Sequence, residues 1–366
     1  MVCLEPNSLS IFSSDMRKPL SLFTAFVFMV VFFSSSSDEL MKTTAQYRYA
    51  LANVFGSDKY AYGDLYGLAY LPAFKITAQQ EAKLDFCGKP RNINLYAICD
   101  SYLWFFVKGN ADFCGVDKYA FSRWTHGDKM NILLDSNRKN VLLIEVAERN
   151  LRYMTDTAAI FSKAAVTVQD TVANTGVNTA TVEPSNRDFS VSVFNPLIEQ
   201  NLQFSLFDYR FFTPFKEMKA QLNYKFFNRS NEGVKVSANG KYLYLAETVD
   251  STQVTSSFNP VSAKEIDKLV YTLNLTYRHY KLLGFDEVYF SVIPNPVTIL
   301  NTEKYGYNEL IPKVQNNETL EMKIIDAYTP FKKSTAQLYQ YSDSHWNNNG
   351  FHLWTSQVDR ELDKIR

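Results

Sequence analysis

Residues 92–107 read NINLYAICDSYLWFFV. The run Asn92–Ile98 predicts a short apolar strand, Cys99-Asp100-Ser101 a turn, and Tyr102–Val107 the opening of a bulky helical segment. A serine at the tip of a strand-to-helix turn has a mechanical advantage. The strand end fixes its position, and N–H groups at the helix start can face a developing negative charge. Taken alone, an Asp-Ser pair is better read as a capping serine.

Working outward, Val141–Val146 (VLLIEV) is a continuous apolar run, as expected of a strand covered on both faces. Thr213-Pro214 reads as an N-cap followed by proline at the first helical position, opening a helix through Phe227. Val234–Ser237 and Lys241–Leu245 flank Ala238-Asn239-Gly240 and predict a hairpin. Ser262 and Glu265 form a capping box. Behind it Ile266, Leu269, Val270, Leu273 and Tyr277 keep helical spacing, with Gly284 placed to end the helix. Val288–Ile293 (VYFSVI) follows as a strand and stops at Pro294. Strand, helix and strand of these lengths fit an α/β doubly wound sheet. Residues 156–187 lack apolar periodicity and read as a loop or linker.

The chain has 366 residues, 38 basic and 38 acidic, for a formal net charge of zero. That balance argues against a nucleic-acid partner, since such binding rests on neutralising phosphates. With 46% hydrophobic and 21% charged residues the composition is globular. Its 28 Phe, 23 Tyr and 4 Trp can fill a large core. Met16, Arg17 and Lys18 precede an apolar run from Leu20 to Phe33, and Ser34–Ser37 follow. That pattern predicts a secretory signal, with an uncleaved N-terminal anchor as the second reading. Residues 39–90 carry Tyr60, Tyr62, Tyr66 and Tyr70 among Gly63 and Gly67 and predict an aromatic strap around the main domain. Of the four cysteines, Cys87 and Cys114 fit a bridge in an oxidising compartment, and buried free thiols fit equally. Their spacing matches no metal site, and no metal or other cofactor is expected.

The second chemical signal is Ser342-Asp343-Ser344-His345-Trp346-Asn347-Asn348-Asn349-Gly350. Of four histidines, His345 is the one preceded by a carboxylate two residues earlier, and it lies in a polar loop before an expected C-terminal helix. A neutral imidazole can take a proton from a serine while a neighbouring carboxylate orients the ring.

Together, DSHWNNNG at 343–350, CDSY at 99–102 and the Glu148-Arg149-Asn150 block after the VLLIEV strand resemble the SGNH (GDSL-like) hydrolase superfamily. The similarity is to its branch of periplasmic alginate O-acetylation proteins and covers roughly residues 90–155 and 200–360. In that branch the Asp-x-His block precedes the serine block, whereas here Ser101 comes first. The glycine usual in the serine turn is Cys99 here, which questions the backbone conformation at that point. Asn150 and Asn295 stand in for an asparagine block not otherwise found.

The resemblance implies a three-layer sandwich with a mainly parallel central sheet, enlarged by an N-terminal strap and a long insert. The expected organisation is a signal peptide or anchor over 1–37, a strap over 38–90, and one α/β domain over 91–366 with a loop or insert around 156–200. It implies Ser101 as nucleophile, His345 as general base and acid, and Asp343 as orienting carboxylate. Tyr102, Arg149, Asn150 and Trp346 are the expected oxyanion or substrate contacts, with a structural ion pair to Glu148 or Asp100 as the other reading of Arg149. Tyr96, Trp104 and Trp124 lie near these blocks, with packing as their default role. The implied activity is periplasmic O-acetylation of a polysaccharide, working beside a membrane-bound O-acyltransferase. An exported carbohydrate acetyl esterase and a non-catalytic glycan-binding scaffold are the alternatives.

Overall fold

The computed structural model describes residues 14–37, 40–41, 43–44, 56–76, 91–124, 129–155, 165–168, 197–300 and 306–365. The chain divides into two compact units. One joins Met1–Asp58 to Pro184–Met218, and the other joins Lys59–Glu183 to Lys219–Arg366.

Among the described residues the second unit has nine strands: β1 (Ile93–Cys99), β2 (Val116–Arg123), β3 (Lys129–Ile132), β4 (Lys139–Ala147), β5 (Ala165–Val168), β6 (Val234–Val236), β7 (Leu243–Leu245), β8 (Glu287–Ile293) and β9 (Lys323–Ile324). Five of them form a sheet in the order β2-β1-β4-β8-β9, with every pairing parallel. Side chains alternate across it with period two. Ile93, Leu95, Ala97, Val141 and Leu143 pack on one face against Phe351, Trp354 and Val358 of the Asn348–Leu362 helix. Tyr96, Ile98, Leu142, Ile144 and Phe290 pack on the other against Ile266, Leu269, Val270 and Leu273 of the Ala263–Leu282 helix. Both faces of β1 and β4 are therefore dry, which is why their sequences are continuous apolar runs with no polar alternation.

Strand order reverses direction between β1 and β4. From β1 the chain first adds β2 on one side, then crosses to add β4 and later β8 on the other. Carboxyl ends of strands at such a switch point open a crevice that neighbouring loops cannot fill. Asp100-Ser101 follows β1 there, Glu148-Arg149-Asn150 follows β4, and Pro294-Asn295 follows β8.

Local signals in the sequence are realised closely. Ser262 Oγ accepts the Glu265 N–H at 3.3 Å, and the helix runs Ala263–Leu282. β6 and β7 pair antiparallel across the Ala238-Asn239-Gly240 turn. The Thr213–Phe227 helix has the expected bounds.

Three expectations differ. The segment after the serine turn is a single helical turn, Ser101–Trp104, and not a longer helix. The Asp112 carboxylate captures the N–H groups of Lys108 and Gly109, at 2.6 and 3.1 Å, and ends any helical continuation. Within the expected loop, Ala165–Val168 is a strand paired parallel with β3. It is four residues long and has no periodic neighbours to reveal it. The rest of 156–196 lies outside the described residues. Finally, the strap is not one element. Residues up to Asp58 belong to the first unit with part of the expected insert, and those from Lys59 belong to the α/β unit. There Leu65, Ala69, Leu71 and Phe74 pack with Val234 and Leu243 of the hairpin.

In the first unit the apolar N-terminal run forms a helix, Ser14–Ser35, long and apolar enough to cross a membrane. It packs with a second helix, Ile198–Phe207, where Asn201 Nδ2 donates to Ser35 O at 2.8 Å. Cys114 is disulfide-bonded, and Cys99 is buried and outside any disulfide. Cys87, the expected partner of Cys114, lies outside the described residues.

Candidate active site

Ser101 is the first residue of the helical turn beyond β1, and Asp100 is its N-cap. Asp100 Oδ1 accepts the Tyr102 N–H at 3.0 Å, while Oδ2 accepts the Ala147 N–H at 2.6 Å from the end of β4. One carboxylate thus ties the two strand ends of the switch point together. Behind it, Glu145 Oε2 accepts the Asp100 N–H at 2.9 Å. Glu145 is fully buried, and burial with the Asp100 charge pushes its carboxyl well above the usual range. Cys99 remains in ordinary strand geometry, paired with Arg123, and Asp100 is extended at φ −101°. No left-handed residue is needed at this serine turn, which removes the question raised by the missing glycine.

The histidine loop arrives from the other end of the chain. Asn347 caps the C-terminal helix by accepting the Gly350 N–H at 3.1 Å and donates Nδ2 to Gln337 O at 2.9 Å. Gly350 lets this helix start close to the chain: a Cβ there would lie 2.4 Å from Leu338 O. Trp346 is buried beneath the loop against Phe331, Phe351 and Trp354. These anchors leave His345 directed at the end of β1.

The structure brings Ser101, His345 and Asp343 into one relay. His345 Nε2 lies 2.8 Å from Ser101 Oγ, and Nδ1 lies 2.6 Å from Asp343 Oδ1. Asp343 Oδ1 also accepts the His345 N–H at 2.9 Å. With Nδ1–H donated to Asp343, Nε2 keeps its lone pair for the serine proton. Burial alone would raise the Asp343 carboxyl. The ring hydrogen bond and charge of His345, with N–H donors from Asp64 and His345, outweigh that and hold it below its ordinary value.

A fourth residue had no sequence signal. Asp64, from the strap, accepts the Ser344 N–H at 2.7 Å on Oδ1 and the Ser344 hydroxyl at 2.5 Å on Oδ2. Its own N–H donates to Asp343 Oδ2 at 3.0 Å. Gly63, at φ +111°, makes this approach feasible, because a Cβ there would meet Ser342 O at 2.3 Å. Burial and the Asp343 charge raise the Asp64 carboxyl against the lowering effect of His345 and Ser344. Ligand atoms of Asp64, Asp343 and His345 fall within 4.8 Å of one another, a grouping that could hold a cation. Each of these residues already makes hydrogen bonds within the group, which is the arrangement of an oriented histidine.

The remaining expected contacts separate into interior and open residues. Tyr102 is fully buried and donates its hydroxyl to Ser344 O at 2.6 Å. Trp346 is fully buried as well. Both rings are packed in the core, so neither side chain presents a surface in this structure. Tyr96 is likewise core. Arg149 sits over the Tyr102 ring, 5.5 Å from its centroid, and against the effect of burial Tyr102 and the Asp100 charge raise its pKa. Asn150 Nδ2 reaches Asp100 Oδ2 at 3.5 Å. Asn295 is buried, its N–H donating to Glu148 Oε2 at 2.8 Å. Trp124 Nε1 donates to Glu145 O at 2.8 Å. The open aromatic wall is Trp104, stacked on Phe105 at 3.7 Å, with the Arg123 guanidinium 5.5 Å from its ring. Phe105 is half exposed and its edge meets the His345 ring at 5.4 Å.

Compared with known family models, with curated proteins and with solved structures, the chain matches none.

Proposed function

We propose that this chain is an SGNH-like serine acyltransferase, exported to the periplasm, that O-acetylates a polysaccharide through an acetyl-Ser101 intermediate. The observation that carries the reading is the unbroken Ser101–His345–Asp343 hydrogen-bond relay at the switch point of a parallel sheet. Its chemistry is nucleophilic acyl transfer. His345 Nε2 takes the Ser101 hydroxyl proton as Oγ bonds to the acetyl carbonyl carbon. Collapse breaks the bond to the donor's leaving group, which departs with the proton from Nε2. A sugar hydroxyl then gives its proton to Nε2 and attacks the acetyl carbon, and Ser101 leaves and recovers the proton. Asp343 stays ionised and stabilises the imidazolium at both steps. The half-exposed Phe105 and its Trp104 partner flank the histidine and offer a face on which a sugar ring can rest. A membrane-bound O-acyltransferase is the proposed source of the acetyl group.

The test uses the purified protein, a chromogenic acetyl ester and oligosaccharide acceptors. Acetylated sugar and an acetyl adduct on Ser101 by mass spectrometry are expected. Acetate release that no acceptor diverts would make the protein an esterase. Absence of turnover, unchanged by Ser101→Ala, would make it a non-catalytic scaffold.

A further inference from the structure

The first unit carries an observation that the chemistry above does not use. In a cleavable signal the small residues after the apolar run must be open and extended to enter a protease. Here Ser35, Ser36 and Ser37 are buried. The helix ends at Ser35 and closes in a turn: the Ser36 N–H donates to Phe32 O at 3.0 Å, and the Ser37 N–H donates to Ser34 O at 3.3 Å. Ser35 O accepts from Asn201 Nδ2 at 2.8 Å, and Ser35 Oγ lies 3.4 Å from Ser205 Oγ. The would-be cleavage site is held in an intramolecular contact.

The helix on the other side of that contact is the reverse. It is exposed from Lys18 through Val30, and the window Lys18–Ser35 has mean hydropathy 1.6. Eighteen helical residues span about 27 Å, close to a hydrocarbon core. Arg17 and Lys18 mark its N-terminal end, the charge placement that keeps that end cytoplasmic. The same unit has further unpartnered apolar surface beside the helix exit. Phe207 is two positions beyond Ser205, which touches Ser35. Phe207, Phe211, Phe215 and Met218 are each more than half exposed. The Phe211 and Phe207 rings lie 4.0 and 5.8 Å from the Phe212 ring, both tilted, so these three aromatics gather together, and Phe215 and Met218 follow them in the next helix. Aromatic side chains gathered where a spanning helix leaves the bilayer occupy the headgroup boundary.

We propose that the first unit is a membrane-docking module: the Ser14–Ser35 helix is retained as an anchor, its exit is clamped by Ile198–Phe207, and the Phe207–Met218 aromatic cluster rests in the outer lipid interface. The occupant of the exposed apolar face is the lipid surface, because the helix that must lie in lipid belongs to the same unit and ends against Ile198–Phe207, which carries Phe207 and leads directly into the segment bearing Phe211, Phe215 and Met218. The inference does not depend on the acyl-transfer reading. A chain carrying Ser101→Ala should behave identically in every measurement below.

The test uses the full chain expressed in a bacterial host. Intact-mass analysis should find the apolar segment still present, and the protein should stay with membranes through carbonate washing and leave only with detergent. In phosphatidylcholine proteoliposomes, Phe211→Trp and Phe215→Trp should each add blue-shifted emission over the unsubstituted protein. Lipids brominated high on the acyl chain should quench that added emission at least twofold relative to unbrominated vesicles. A mature N-terminus near Ser37 with soluble protein overturns the proposal. So does an intact anchor whose added tryptophans are not quenched, which would leave the aromatic face to a protein partner or a second copy.

Discussion

At the scale of single residues, the site is a relay whose members contribute unequally. Ser101→Ala removes the proposed nucleophile while leaving the Asp100 cap in place. Ester turnover is expected to fall by about 10³-fold or more with thermal stability unchanged, read by steady-state kinetics beside a melting curve. Asp343→Asn keeps the shape but places a donor or a neutral oxygen opposite Nδ1, so the ring loses its enforced tautomer. A drop in kcat on the order of 10³- to 10⁴-fold is expected. A variant within tenfold of the parent would show that Asp343 does not orient the base. Asp64 acts one contact further out, through Ser344. Charge-assisted hydrogen bonds contribute about 1.5–3 kcal/mol, so Asp64→Asn should lower kcat roughly tenfold or more while KM is held. A KM change of that size instead would place Asp64 in substrate binding.

At the scale of elements, the start of the C-terminal helix holds the relay in register, and it depends on a backbone contact that side-chain bulk would break. The C-terminal helix starts against Leu338 O, and a Cβ at Gly350 would lie 2.4 Å from it and 2.7 Å from Trp346 Cβ. Both are interior atoms with no free path to move. Gly350→Ala is expected to destabilise the α/β unit by about 1–3 kcal/mol, measured by denaturant titration. Gly109→Ala is the comparison, because nothing lies within 4 Å of a Cβ there, and its extended backbone suits any residue. Equal stability of the two variants would contradict the close packing of the histidine loop on the helix start. The same reasoning explains why Asn347 matters in DSHWNNNG. It caps the helix and ties the loop to Gln337, so the motif describes a mechanical mount as much as the proposed base.

At the scale of the whole molecule, burial of carboxyl groups beneath the switch point couples stability to pH. Glu148 is buried at the end of β4, where Oε2 accepts the Asn295 N–H and the Thr298 hydroxyl at 2.8 and 2.7 Å. Burial pushes its carboxyl up from 4.5 to about 7 despite those donors. A carboxyl raised in the folded state favours folding while protonated. Its contribution is full below the unfolded value and is lost as pH rises through 7. The melting temperature should therefore fall between pH 5 and pH 8. Glu148→Gln should flatten that fall by an amount on the order of 1–3 kcal/mol. An unchanged slope in the variant would remove Glu148 as the source.

The sequence by itself determined the strands of the sheet centre, the capped helix Ala263–Leu282 and the hairpin, because each is specified by local periodicity or a cap within a few residues. It also singled out Ser101, His345 and Asp343, since rare residue types stood beside turn signals. The structure decided what depends on distance along the chain. Asp64 and Asp343 are 279 positions apart, and only the folded strap at Gly63 brings them together. Tyr102 and Trp346 carry the composition of ligand contacts, yet their apolar rings are better satisfied in the core. Likewise, a serine-rich stretch after an apolar run has the composition of a cleavable leader. Its burial against Ile198–Phe207 is a contact with a segment some 165 residues away, and local sequence holds no record of such a contact.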